Sequence, residues 1–237
     1  MEMKSSTITR RSTRISEFLS GVRDEIPILV GGVPFGLIFG ALAVDSGIWP
    51  ATAQAMSVII FAGSAQFIAA QLVGAGAPGL VIVLTVFVVN LRHLLYSASV
   101  APHTRRLSTL WKWVLAYLLT DEAYAVTILH YNREQDGENR HYYFFGAGLA
   151  LWAAWQLSTA AGIFLGAVIP PSWSLDFTLA LTFIALMIPA IKDRAGVAAA
   201  LTAGVVALLA YGLPLKLGLI IAALAGILAG LWMESKT

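Results

Sequence analysis

Three ionisable residues lie inside apolar segments of this sequence, where a charge needs a physical reason. Arg92 interrupts the run FVVNLRHLLY, while Asp121 and Glu122 stand in the middle of LAYLLTDEAYAVTIL. A charge at this depth costs about 3 kcal/mol or more unless it is paired or hydrated, so such residues usually mark a pathway. We expect Glu122 to pair with Arg92, and Asp121 to face the pathway, where it can carry a proton. An ion pair that only holds helices together is the alternative.

Polar side chains near these charges repeat at the spacing of a helix. The segment that holds Arg92 carries polar residues on two faces, at intervals of three or four. The segment that holds Asp121 is expected to be one continuous helix, with tyrosines and threonines recurring on the Asp121 face. Such stripes are typical of side chains that line a pathway. They comprise Asn90, Arg92, His93 and Tyr96 in the first segment, and Tyr117, Thr120, Asp121 and Tyr124 in the second.

Two further stretches are candidates for interrupted helix. Pro34, followed by Phe35, lies in a glycine-rich apolar run, and a proline there frees backbone carbonyls that another group must satisfy. The stretch FAGSAQF places Ser64 and Gln66 at the centre of segment 51–74. If the helix unwinds at that point, the amides at a half-helix N-terminus can bind a carboxylate. Close helix packing is the alternative for both stretches.

The composition of the chain shows that its surface cannot face water throughout. Of 237 residues, 58% are hydrophobic and 12% are charged, and the mean hydropathy is +0.79. A soluble domain has charged residues at about a quarter of its positions. Apolar runs of the roughly 20 residues that cross a bilayer recur from Ile26 onwards. We therefore predict an all-α integral membrane protein, a bundle of about six to eight transmembrane segments.

One hydrophilic stretch divides the apolar segments into two groups. We expect a cytoplasmic N-terminal tail over 1–24, a first transmembrane half over 25–130, a loop over 131–141 and a second transmembrane half over 142–233. Both termini are expected to be cytoplasmic.

The distribution of Lys and Arg favours two inverted repeats over eight full spans. If 51–74 and 175–191 are broken hairpins, 12 of the 15 basic residues fall on the cytoplasmic side, and Arg133, Arg140 and Lys216 are left outside. Eight full spans, including 112–130, place 10 of the 15 there. The positive-inside rule favours the first arrangement, and inverted repeats are common among transporters. The second arrangement stays open.

Four stretches around these residues resemble the AzlC-type family of branched-chain amino acid permeases, named for azaleucine resistance. They are VPFGLIFGALA (33–43), FAGSAQF (61–67), NLRHLLYSASVAP (90–102) and TDEAYAV (120–126). They occur in the order and at the spacing of the family. The second half of the chain resembles the family in hydropathy profile and length.

The resemblance implies an inner-membrane exporter of hydrophobic amino acids such as valine, with methionine also in range. It also implies a separately encoded partner, a small membrane protein of the AzlD type. A zwitterionic cargo fits the residues, since Arg92 can bind its carboxylate and Asp121 its ammonium group. We predict proton coupling at Asp121. The candidate pathway residues are Pro34, Phe35, Ser64, Gln66, Asn90, Arg92, His93, Tyr96, Tyr117, Asp121, Glu122 and Tyr124.

Other classes of function find little support in the sequence. The chain has no cysteine, no zinc-protease helix and no Gly-x-Ser-x-Gly elbow, and its net charge of +2 offers no basic groove for nucleic acid. We expect no catalytic residue, no metal site and no cofactor. A passive channel or a scaffold subunit is the main alternative. An intramembrane enzyme with a Ser64–His93 dyad is a weaker one.

Overall fold

The computed structural model describes residues 13–133, 139–166, 191, 193–213 and 217–236. These residues form α-helices and contain no β-strand, so the predicted all-α fold is confirmed. The helices are α1 (Arg14–Asp45), α2 (Pro50–Ile59), α3 (Gly63–Gly74), α4 (Gly79–Asn90), α5 (Arg92–Thr104), α6 (Thr109–Tyr117), α7 (Asp121–Arg133), α8 (Arg140–Gly166), α9 (Arg194–Leu209) and α10 (Leu217–Glu234).

Three stretches of the described chain are long and apolar enough to cross a membrane. They are α1, α8 and the continuous run Gly79–Thr104, which α4 and α5 form together. The shorter α9 and α10 pack on each other through small residues, since a β-carbon at Gly226 would lie 2.9 Å from the carbonyl oxygen of Ala199. The hairpin expected at 175–191 lies, but for its last residue, outside the described residues.

Helix α1 begins at Arg14, well before the boundary expected after residue 24. Thr13 caps the helix, because its hydroxyl accepts a hydrogen bond from the Ser16 amide at 3.1 Å. The polar first turns then pack against α8, where a β-carbon at Gly21 would overlap the Tyr143 carbonyl. A cap and a tertiary contact therefore extend the helix beyond the apolar segment.

Helices α1 and α8 run side by side in the same direction. Near their starts Gly21 contacts Tyr143, and further along both helices Gly40 contacts the Thr159 carbonyl. Glycines let two backbones approach this closely. Equivalent first helices of two inverted halves would run in opposite directions, so the inverted relation predicted between the halves is wrong for this pair.

The α2–α3 pair is the broken hairpin that the sequence predicts for 51–74. Helix α2 ends at Ile59 and α3 begins at Gly63. At the far end of α3, a β-carbon at Gly74 would lie 3.3 Å from the Ser46 β-carbon, directly after α1. Both ends of the hairpin therefore lie at the C-terminal end of α1.

The α6–α7 pair is a second broken hairpin, where the sequence predicted the full span 112–130. The N-terminal part of α6 lies at the start of α8, with Trp111 and Phe145 ring centroids 5.4 Å apart. The C-terminal part of α7 returns to the start of α1, where His130 lies 3.1 Å from the Glu17 carboxylate. The full span is therefore wrong. Hydropathy averages over the break and cannot distinguish one span from two half-length helices.

The two hairpins enter the bundle from opposite ends. Helices α4 and α5 run back from the end of α3, and α7 follows the direction of α5, with Tyr124 bonded to Ser99 at 2.9 Å. The unit α1 to α3 therefore starts at one end of the bundle, and the unit α4 to α7 starts at the other end and runs in the opposite direction. Inversion does occur in this fold, but within the first half of the chain.

Basic residues of the described helices gather where α1 and α8 begin, and we call this the basic end. Because α6–α7 returns there, Arg133 and Arg140, which the predicted topology placed outside, join it. The loops 46–49 and 75–78 at the opposite end contain neither Lys nor Arg. The basic end comprises Arg14, Arg23, Arg105, Arg106, Lys112, Arg133 and Arg140.

The absence of cysteine allows a direct test of the second hairpin. Single cysteines at Ser108 and Asn132 flank α6–α7, and one at Ala75 marks the opposite end. A membrane-impermeant thiol reagent should label S108C and N132C from the same face of the membrane, and A75C from the other face. Labelling of S108C and N132C from opposite faces would restore the full span.

Candidate functional site

Arg92 lies where the two hairpins meet, and both arms of its guanidinium are bonded. Its Nη1 donates to Asp121 Oδ2 at 3.1 Å, and its Nη2 donates to Ser64 Oγ at 2.8 Å. The side chains of Arg92 and Asp121 are 29% and 43% exposed, so the pair lines an accessible space. One cluster, which we call the charge cluster (Ser64, Arg92 and Asp121), therefore joins α3, α5 and α7.

The helix breaks bring two N-termini to this cluster. Helix α3 begins at Gly63 beside Ser64, and its N-cap, Ala62, supplies no side-chain hydrogen bond. The first amides of a helix lack intrahelical partners and carry a partial positive charge. Helix α7 begins at Asp121 itself, and Thr120 accepts from the Ala123 amide at 3.3 Å. Asp121 thus lies at the positive end of its helix, and α3 leaves its amides available.

The break also corrects the predicted roles of the two acidic residues. Arg92 pairs with Asp121, so its predicted pairing with Glu122 is wrong. The break at Leu118–Thr120 ends the continuous stripe expected from Tyr117 to Tyr124, and it turns the first residue of α7 towards α5. Glu122 follows Asp121 in the first turn of α7.

Aromatic side chains fix α5 against α7 next to the cluster. Tyr96 and Tyr124 stack with ring centroids 4.8 Å apart, and His93 packs edge-on against Tyr96. The His93 Nδ1 lies 3.1 Å from the Asn90 carbonyl oxygen, and Ser64 is bonded to Arg92. These contacts leave no hydrogen bond between Ser64 and His93 among the described residues, so the two do not form a dyad.

An apolar cavity of about 650 Å³ opens at the surface of the bundle, where Ile59, Val83 and Phe87 are 76%, 64% and 62% exposed. Its lining includes residues close in sequence to the charge cluster but none of the three cluster residues. Its walls are mostly Ile, Val, Phe and Ala from α2, α3, α4 and α6, and the two breaks contribute Phe61, Ala62 and Leu119. The polar side chains in its lining are Asn90, His93 and Tyr117, all three predicted as pathway residues.

Three predicted residues on α1 and α3 belong to neither the cavity lining nor the charge cluster. Pro34 is inside α1 on its exposed side, and Phe35 packs edge-on against Phe67 at 5.8 Å in the core. Gln66 is 0% exposed, and neither atom of its amide has a hydrogen-bond partner among the described residues. The structure thus brings together Ser64, Asn90, Arg92, His93 and Asp121, with Tyr96 and Tyr124 beside them.

Other buried polar residues escaped the sequence analysis. Gln54 donates to Gln156 Oε1 at 2.8 Å, and Ser57 and Thr159 lie 3.2 Å apart, so two polar contacts join α2 to α8. Glu25 is 0% exposed and was grouped with the first transmembrane half without a role. Its signal in the sequence was a carboxylate directly before an apolar run.

The family model described as AzlC protein matches residues 27–169 of the chain, which include the charge cluster and both hairpins. The chain belongs to the AzlC family. The predicted recognition is therefore confirmed.

Relatives of this AzlC family member match most of its length. It is 32% identical over 220 residues to an uncharacterised membrane protein of Archaeoglobus fulgidus, covering 91% of this chain and 94% of that protein. It is 28% identical to the inner membrane protein YgaZ of Escherichia coli, with coverage of 90% and 87%. It is 28% identical to the branched-chain amino acid transport protein AzlC of Bacillus subtilis, with coverage of 76% and 70%. No solved structure matches the chain.

The pairing of Arg92 with Asp121 predicts non-additive effects on the stability of this AzlC family member. Arg92→Gln and Asp121→Asn should each lower the free energy of unfolding by about 1–3 kcal/mol, because the remaining partner loses its counter-charge in the bundle. The double variant should lose less than the sum of the two. Thermal unfolding in detergent measures all three, with Arg105→Gln at the basic end as the control. Strictly additive losses would show that the two charges act independently.

Proposed function

We propose that this protein exports branched-chain or other hydrophobic amino acids, valine foremost and methionine in range, across the bacterial cytoplasmic membrane. The observation that carries the proposal is a charge cluster at the tips of two opposed broken helix pairs, beside an apolar cavity. Broken helices that meet inside the bundle are the usual architecture of carrier sites. The name of the Bacillus subtilis relative supports the class of cargo, and the family resemblance supports export.

The carboxylate of the amino acid binds to Arg92 and to the N-terminus of α3. Arg92 offers a planar fork of donors, which suits a carboxylate. The first amides of α3 add a positive partial charge at the same place, since Ala62 leaves them without a side-chain cap. Ser64 adds a hydroxyl that is already bonded to Arg92 at 2.8 Å. The three groups together recognise one anionic end of the cargo.

The ammonium group binds to Asp121, and the hydrocarbon side chain occupies the apolar cavity. A volume of about 650 Å³ lies in the usual range for small-molecule sites, and the apolar walls favour aliphatic or thioether side chains. Charged amino acids are disfavoured, because few polar groups in the lining could replace their hydration.

Proton coupling follows from competition for Asp121. In the unloaded site Asp121 neutralises Arg92 at 3.1 Å. When the carboxylate of the cargo takes over that role, Asp121 is left with the ammonium group or with a proton. A proton that enters from the outer side can displace the ammonium group, which links release of the amino acid to proton uptake. The protonated site carries the single positive charge of Arg92 until Asp121 gives up its proton and pairs with Arg92 again.

The proposed orientation places the basic end, where α1 begins, in the cytoplasm, and the proposal places the C-terminus there too. The positive-inside rule supports this orientation, since seven basic residues of the described chain lie at the basic end. The proposal includes a small AzlD-type membrane subunit as the partner in the complex.

Transport in reconstituted vesicles tests the function. The protein, with its AzlD-type partner, should release labelled valine when a pH gradient is applied. Asp121→Asn should lower pH-driven efflux by about a hundredfold, the loss typical of a removed proton-transfer group. Valine–valine exchange should fall as well, because Asn leaves the ammonium group of the cargo without a counter-charge. Asp45→Asn, an exposed acid at the opposite end, is the control.

Three outcomes would contradict this proposal. Undiminished pH-driven efflux in Asp121→Asn would refute the carrier role of that residue. Valine flux at the same rate with and without a pH gradient would indicate a passive channel. If the partner alone transported valine at the full rate, this chain would be a scaffold subunit.

A further inference from the structure

Glu25 is a buried carboxyl group that the proposed transport site does not use. It lies on α1 between Gly21, which packs against α8, and the apolar part of the helix. Its exposure is 0%, and neither carboxyl oxygen has a hydrogen-bond partner among the described residues. A buried polar group without a partner is rare in folded proteins and calls for an explanation.

Two other acidic side chains of α1 have partners of their own. Asp24 accepts a hydrogen bond from the Tyr143 hydroxyl at 2.7 Å, and Glu17 lies 3.1 Å from His130. No basic side chain in the described part of the chain forms an ion pair with Glu25. The ionisable or charged side chains on α1, α7 and α8 around it are Glu17, Arg23, Asp24, Asp121, Glu122, His130, Arg133, Arg140 and Tyr143.

Glu122 lies on the facing helix α7 at the level of Glu25. The two helices run in opposite directions, and Glu17 and His130, eight residues from Glu25 and Glu122 respectively, lie 3.1 Å apart. Burying a carboxylate without a partner, at the level of a second carboxylate, costs far more than burying a neutral acid. The two groups therefore avoid a double negative charge most cheaply when one of them holds a proton. Glu122 also directly follows Asp121, whose carboxylate pairs with Arg92.

A third buried polar group lies on the same helix. Thr127, about one and a half turns along α7 from Glu122, is 0% exposed, and its hydroxyl has no partner among the described residues. Beyond it, His130 and Glu17 reach the basic end. Buried carboxyl and hydroxyl groups thus occur at successive levels of α1 and α7 between the charge cluster and the basic end, and ordered water can bridge such unsatisfied atoms.

We propose that Glu25 and Glu122 form a proton relay that connects Asp121 with the basic end of the bundle. The inference rests on the proposed function, because it gives the proton that displaces the ammonium group a route to the cytoplasm. The relay holds one proton between its two carboxyl groups. When protonated Asp121 passes its proton to Glu122, the proton on Glu25 leaves through water near His130. Each transfer breaks one O–H bond and forms another, and Asp121 returns to Arg92 as a carboxylate.

The relay is assigned to protons and not to a metal cation. The described residues contain no group of three or more His, Asp or Glu side chains placed to hold a metal ion. A cation such as Na⁺ would need several oxygen ligands around it, whereas a proton needs a single carboxyl oxygen.

Glu25→Gln separates proton movement from substrate binding. In reconstituted vesicles with the partner subunit, this variant should lose pH-driven valine efflux by about a hundredfold, the contribution typical of a proton-transfer group. Valine–valine exchange without a pH gradient should stay close to that of the wild type, because Glu25 does not touch the charge cluster. Glu122→Gln should give the same split. Asp24→Asn, a neighbouring acid on the same helix, should change neither rate.

Infrared difference spectroscopy gives an independent reading of the proton. The purified wild type should show the carbonyl stretch of a protonated carboxylic acid at neutral pH, and Glu25→Gln or Glu122→Gln should remove it. This measurement does not depend on a transport assay, so it tests the relay even if valine is not the cargo. Failure of the wild type to transport valine would contradict the proposed function, and a missing carboxylic acid band would overturn the relay.

Three other results would overturn the relay. The first is full pH-driven efflux in Glu25→Gln. The second is an equal loss of exchange and driven efflux in both glutamate variants, which would indicate a structural role. The third is efflux driven by a sodium gradient that Glu25→Gln abolishes, which would indicate a sodium site.

Discussion

Arg92 can lie inside the apolar part of this bundle because two other elements satisfy its guanidinium. Asp121 supplies the counter-charge at 3.1 Å, and Ser64 supplies an acceptor at 2.8 Å. Each of these residues stands at or next to the first residue of a half-length helix. To place both partners beside Arg92, the two helix breaks must lie at the same level of the bundle. The opposed hairpins place the breaks at that level. A single continuous helix in place of either hairpin would carry its partner residue away from Arg92.

The hairpins need a rigid support, and α1 with α8 provides it. Glycines at the contact let the two backbones approach each other closely, and a side chain at Gly40 would overlap the Thr159 carbonyl. Polar contacts such as Gln54 with Gln156 then fix α2 on this support. The family match over residues 27–169 spans both the support and the hairpins, so this part of the chain is the unit that the family shares. Helices α9 and α10 pack chiefly on each other.

The sequence predicted the membrane-embedded helical fold, the first hairpin and most members of the site. Gly63 and Ser64 marked the first break, because glycine and serine weaken a helix in the middle of an apolar run. The second break left no such signal, since LLT between Tyr117 and Asp121 is as compatible with helix as its neighbours are. Because the sequence analysis extended helical periodicity across that break, it predicted Glu122 as the partner of Arg92. It also placed Arg133 at the wrong end of the bundle. Both the partner of Arg92 and the position of Arg133 depend on contacts between residues that are far apart in the sequence. The periodicity within one segment gives no information about such contacts.

The central claim is that the carboxylate of the amino acid binds to Arg92 at the meeting point of the hairpins. Solid-state NMR can measure the distance between the ¹³C-labelled carboxyl carbon of valine and ¹⁵N-labelled arginine side chains in the reconstituted complex. The account predicts a close contact, at the distance of a direct hydrogen bond, that disappears in Arg92→Lys and persists in Arg105→Lys. Bound valine with no arginine contact, or with a contact that survives Arg92→Lys, would contradict it.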